Sequence, residues 1–188
     1  MSDSPALALD KKESEHQVAV RIREILAARF PGYVVESGKS ILYKIEVDAF
    51  GKVTHDSLDN PTRGRFAFQT DVLITKASLP LVVIELKVGS FTTHDVITYS
   101  WKAVRHRQVY PYLRYGFVVF GLDALGRRFV THREGFDFAL ALLDTAAIET
   151  DLVALVGRQL TSAERMSALT RSSRVKLRRY EETVEIDQ

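Results

Sequence analysis

Residues 66–87 read FAFQTDVLITKASLPLVVIELK, two apolar runs joined by a short turn. Each run has the length of a buried strand, and the KASLP turn allows the two to pair as a hairpin. Charges stand where burial makes them costly. Asp71 interrupts the first run, and Glu85 and Lys87 interrupt the second. Side chains alternate along a strand, so Glu85 and Lys87 share one face while Leu86 takes the other. Pairing of the strands brings Asp71 toward Glu85. Two carboxylates and an ammonium then meet at the rim of an otherwise apolar sheet.

Carboxylates a few ångströms apart repel each other unless a cation sits between them. A hard divalent ion, Mg²⁺ with Mn²⁺ as a substitute, takes one or two carboxylates and fills its shell with water and phosphate oxygens. A neighbouring lysine such as Lys87 orients an attacking water or neutralises charge on a phosphoryl oxygen. An Asp and an E-x-K tripeptide also occur by chance, and a core ion pair without activity is the alternative.

The spacing Asp71-x13-Glu85-x-Lys87 on two successive strands resembles the PD-(D/E)XK nuclease superfamily. It departs from that pattern at Gln69-Thr70, where a proline often precedes the aspartate. A closer likeness is to the nuclease domain at the N-terminus of type I restriction motor subunits, where a run like TDVLI is followed by one like LPLVVIELK. The resemblance covers about residues 14–121. It implies an α/β, restriction-endonuclease-like αβββαβ core, a mixed sheet flanked by helices. It implies a Mg²⁺-dependent endonuclease acting on nucleic acid, with DNA the expected substrate. Asp71 and Glu85 would be metal ligands, with the carbonyl of Leu86 adding a third and Lys87 assisting the water. Glu15, on the first helix, matches the superfamily's outer acidic residue, although a first-turn glutamate is also ordinary dipole compensation. Gln108 and Tyr112 spell the Q-x-x-x-Y motif of the RecB-like branch, so the resemblance places Gln108 near the active site. Cutting both strands needs two sites or two turnovers, which a homodimer would supply. A non-catalytic nucleic-acid-binding or assembly module with the same fold is the other reading.

Taken in order, residues 1–12 read as a loose leader, 13–135 as the nuclease-like core and 136–188 as a helical extension packed on it. Ser14-x-x-Gln17 is a capping box opening a helix whose Val18, Ile22, Ile25, Leu26 and Phe30 share a face. Residues 33–53 are strand-like, and ILYKIEVDAF alternates so that Ile41, Tyr43, Ile45, Val47 and Ala49 lie on one side. Residues 51–64 read as a mobile loop. A helix is predicted from about Thr93 to Val109, with Ile97, Trp101, Val104 and Gln108 on its inward face. Lys102, Arg105, His106 and Arg107 fall opposite and, with Arg114, form a basic surface suited to phosphates. Trp101 and Tyr99, Tyr110, Tyr112 and Tyr115 are read as core or sheet-packing residues. YGFVVFG at 115–121 is a buried strand, and the remainder, from DFALALL onward, reads as helical.

The absence of cysteine removes disulfides and thiolate chemistry and is compatible with a reducing cytoplasm, the expected location. No signal peptide and no membrane-spanning run is expected. Net charge is only +2, so the local distribution of charge, rather than its total, points to a nucleic-acid partner.

Overall fold

The computed structural model describes residues 13–174 and 176–179; the expected leader at 1–12 lies outside them. Helix α1 (Glu15–Arg29) opens as its sequence predicts. The Ser14 hydroxyl accepts from the Gln17 N–H, and the Gln17 side chain accepts in return from the Ser14 N–H. There follow β1 (Val34–Ser37), β2 (Ser40–Leu42), β3 (Glu46–Val47), β4 (Val53–Thr54), β5 (Ala67–Gln69), β6 (Val72–Lys76) and β7 (Leu79–Val88). Helix α2 (Thr93–Val109), β8 (Arg114–Phe120), α3 (Gly126–Val130), β9 (Phe138–Leu142) and α4 (Thr145–Ala147) come next. A π-helical turn (Ile148–Leu152) then leads into α5 (Val153–Arg171).

The molecule is a mixed α/β fold built on one mixed sheet in the order β1-β6-β7-β8-β9. The β1–β6 and β6–β7 pairs are antiparallel, and β7–β8 and β8–β9 are parallel. Helices α1 and α5 cover one face, burying Val18, Ile22, Leu26, Val156 and Leu160 against Leu86 and Val118. On the other face Phe117 and Val119 of β8 meet Val96 of α2 and Phe129 of α3. Because β7 and β8 run in register with Glu85 beside Phe117 and Lys87 beside Val119, both charged residues lie on the α2 face.

Several expectations need correction. The run 41–50 is not one alternating strand: Ile41 and Leu42 are both buried, whereas Ile45 and Val47 are exposed. The Asp48 carboxylate accepts from the N–H groups of Phe50 and Lys52 and turns the chain back on itself. This turn pairs β3 with β4, so the stretch read as a loop holds one strand of a small hairpin. FAFQTDVLI is likewise divided, because β5 leaves the main sheet to pair with β2 while β6 stays in it. Finally, FALAL is a strand, not a helix. The Phe138 ring lies over Gly116, where a Cβ would stand 2.1 Å from it. The expected boundary at residue 136 therefore precedes a strand of the same sheet.

Candidate active site

The β6–β7 hairpin pairs Val72 with Ile84, and the same register carried one residue further sets Asp71 opposite Glu85. Asp71 Oδ2 accepts from the Leu86 N–H at 2.7 Å. Glu85 is 1% exposed, and its Oε1 accepts from the Tyr115 hydroxyl and faces Lys102 Nζ at 3.4 Å. Lys87, two residues along β7, points Nζ at Glu15 Oε1 (3.1 Å) and Asp95 Oδ1 (3.4 Å). The ring of Tyr99 lies beneath both ammonium groups, 5.6 Å from Lys87 and 4.9 Å from Lys102. Asp95 is itself held in place, since it forms the capping box of α2 with Thr92.

Burial raises the Glu85 carboxyl to about 8, with Asp71 adding to the rise and Lys102 and Tyr115 opposing it. Burial also raises Asp71, against the pull of the Leu86 N–H. Burial disfavours the Lys87 ammonium, but Tyr99, Glu15 and Asp95 outweigh it and hold the group above its ordinary range. Tyr115, fully enclosed, is pushed well up and stays a donor. At neutral pH Glu85 thus keeps its proton beside Asp71 and a cationic lysine.

Asp71, Glu85 and Lys87 come together on one face, and Glu15 reaches Lys87 rather than the carboxylate pair. The Leu86 side chain is buried on the opposite face, and its N–H serves Asp71. Gln108 is corrected. The face of α2 expected to point inward is exposed, and Val96, Ser100, Ala103 and His106 are buried instead. Gln108 accepts from Arg105 at 3.2 Å on the outer surface, about 9 Å along the helix axis beyond Lys102. Lys102, expected on a phosphate-tracking surface, instead belongs to the carboxylate cluster. Arg107 and Arg114 converge on the buried Asp137 at 3.1 and 3.0 Å. Arg105 alone of the four stays on the surface without a carboxylate partner among the described residues. Tyr115, Tyr99 and Asp95 were missed as site residues, and Lys102 was assigned to a different role. A helical signal for Lys102 was present: it lies one turn beyond Tyr99, and a stripe drawn through Ser100 and Ala103 turns both inward.

Among the described residues no group of three or more His, Asp or Glu side chains is arranged to hold a metal ion. The Asp71–Glu85 pair nevertheless suits a hard dication. It offers oxygen donors only, and burial pushes both carboxyls up, with Asp71 adding to the rise at Glu85, a penalty that a cation between them relieves. No helix among the described residues is long and apolar enough to cross a membrane. No family model, curated protein or solved structure matches the chain.

Proposed function

We propose that this protein is a metal-dependent phosphodiesterase of the PD-(D/E)XK, restriction-endonuclease-like type that hydrolyses nucleic acid, with DNA the expected substrate. The observation that carries the reading is the placement of Asp71 opposite Glu85 on adjacent strands, with Lys87 on the same face. Asp71 and Glu85 would hold Mg²⁺, which when bound supplies Lewis-acid stabilisation of the phosphoryl oxygens. Lys87, kept cationic by Glu15, Asp95 and Tyr99, orients the attacking water and offsets negative charge developing on the phosphate. The Tyr115 hydroxyl fixes the Glu85 rotamer by donating to Oε1, and the Leu86 N–H does the same for Asp71. Lys102 flanks Glu85 at 3.4 Å and, with Asp71 and Glu85 holding a divalent ion, would supply further positive charge beside it.

The second reading, a non-catalytic nucleic-acid-binding module, is favoured by the completeness of the bonds around Glu85. Its Oε1 already faces both Lys102 and Tyr115. One experiment separates the two. Purified protein is incubated with DNA and RNA in Mg²⁺ and in Mn²⁺, beside Lys87→Ala and Asp71→Asn. The nuclease reading expects metal-dependent cleavage reduced about 100-fold or more in either variant. It also expects Mg²⁺ to raise the melting temperature of the wild type at pH 8 and not that of Asp71→Asn. Binding without cleavage, and melting indifferent to Mg²⁺, would establish the binding module.

A further inference from the structure

Helix α2 turns part of its apolar surface outward. It buries Ser100 and His106 and leaves Ile97, Trp101 and Val104 at 49%, 45% and 38% exposed. An apolar strip of this kind on a protein surface marks a contact with something else. Its chemistry narrows what that is. Trp101 stands edge-on to Phe68 at 5.7 Å, and Phe68 stacks on Tyr43 at 4.0 Å. The Arg105 guanidinium lies over the Trp101 ring, 5.2 Å from its centre. Arg63 bonds Gln69, the residue after Phe68, and neither arginine pairs with a carboxylate among the described residues. Lys102 bridges this cluster to the carboxylate pair, with Nζ 5.9 Å from the Phe68 ring and 3.4 Å from Glu85. The aromatic surface and the site therefore share a side chain.

We propose that this face is a stacking platform for an unpaired nucleobase, so that the substrate is single-stranded nucleic acid lying across Trp101 with its backbone leading to Asp71 and Glu85. The proposal rests on the phosphodiesterase reading and names its substrate class. The half-exposed indole, with one guanidinium already over its ring, supplies aromatic surface to a base while Arg105 and Arg63 supply positive charge to its phosphate, the two components of sequence-tolerant single-strand binding. A base inside a duplex has both faces covered by its neighbours and cannot use the indole. A second copy of the chain fits less well. The strip of Ile97, Trp101, Val104, Arg105 and Gln108 carries no carboxylate, so a two-fold contact of the strip with itself would offer Arg105 no acidic partner.

Trp101 is the only tryptophan, which makes its fluorescence a direct readout. In EDTA, a short oligothymidylate should quench that emission and bind at least about tenfold more tightly than a duplex of equal length. By anisotropy of a labelled strand, Trp101→Ala should weaken binding about 5- to 100-fold, with Trp101→Phe close to wild type. Equal affinity for duplex and single strand, or no quench, would overturn the platform. So would a sedimenting dimer that Trp101→Ala dissociates, which would assign the face to a second copy. Because binding is read without metal, the two readings fail separately. Duplex cleavage in Mg²⁺ with no quench removes the platform alone. Quench with no cleavage in any metal removes the nuclease reading and leaves the single-strand face standing.

Discussion

His106 is buried at 0% exposure, with Nδ1 donating to the Leu42 carbonyl at 2.9 Å. A carbonyl only accepts, so the proton is on Nδ1, and Nε2, which has no partner, carries a lone pair. Burial first, and Lys102 after it, lower this histidine to about 4 against the pull of the Leu42 bond. The sign of the consequence is definite. Above about pH 6.5 both folded and unfolded chains hold it neutral and it costs nothing. As pH falls from 6.5 toward 4 the unfolded chain takes up a proton that the folded one refuses, and stability is lost by up to about 3 kcal/mol. Urea unfolding should show the stability gap between wild type and His106→Leu narrowing by roughly that amount between pH 7 and pH 4.5. A gap that stays constant across this range would show that His106 takes up its proton as readily in the fold as in the unfolded chain. The sequence pattern put His106 on a basic surface, and nothing local says otherwise. Its neutrality comes from burial, and the Phe68 and Tyr115 rings packed against it are brought from afar by the chain.

At the scale of elements, what is local was legible. Asp71, Glu85 and Lys87 lie within one hairpin, where a period of two and a short turn are sufficient to set their faces. The phase of α2 was misread because Ile97, Trp101 and Val104 outweigh Ser100 and Ala103 in any count of apolar residues, yet the sheet accepts the smaller set. FALAL was misread because a five-residue apolar run has no period of its own; its pairing with β8 decides it. The hairpin turn itself is poorly matched to its conformation. Ala77 (φ 49°) and Ser78 (φ 63°) both occupy the left-handed region, which side chains other than Gly and Asn resist. Replacing them together, Ala77→Asn with Ser78→Gly, should raise stability by about 1–2 kcal/mol by chemical denaturation, with the site left intact. No gain would mean that contacts of the two side chains compensate the strain.

Across the whole molecule, Asp137 ties the parallel half of the sheet to α2. Its carboxylate, 4% exposed, meets Arg107 at the end of α2 and Arg114 at the start of β8, and accepts from the Tyr115 N–H at 2.7 Å. Burial raises its carboxyl despite both guanidinium groups. Asp137→Ala strands Arg114 and an N–H donor together, and should cost about 3–5 kcal/mol, measured by urea unfolding. A cost near zero would mean that water replaces the carboxylate. This link joins residues too far apart for any pattern in the chain to announce, which is why Arg107 and Arg114 looked like phosphate contacts. The β2–β5 pairing has a different bearing on the molecule. Leu42 faces Ala67, and the Tyr43 N–H donates to the Phe66 carbonyl at 2.9 Å, so the segment between them leaves and rejoins the body at one point. Closing such a segment costs only about 0.6 kcal/mol for each doubling of its length. The chain thus has a natural graft point beside its aromatic cluster, where insertions and exchanges can retune what approaches the site while the sheet below keeps its register.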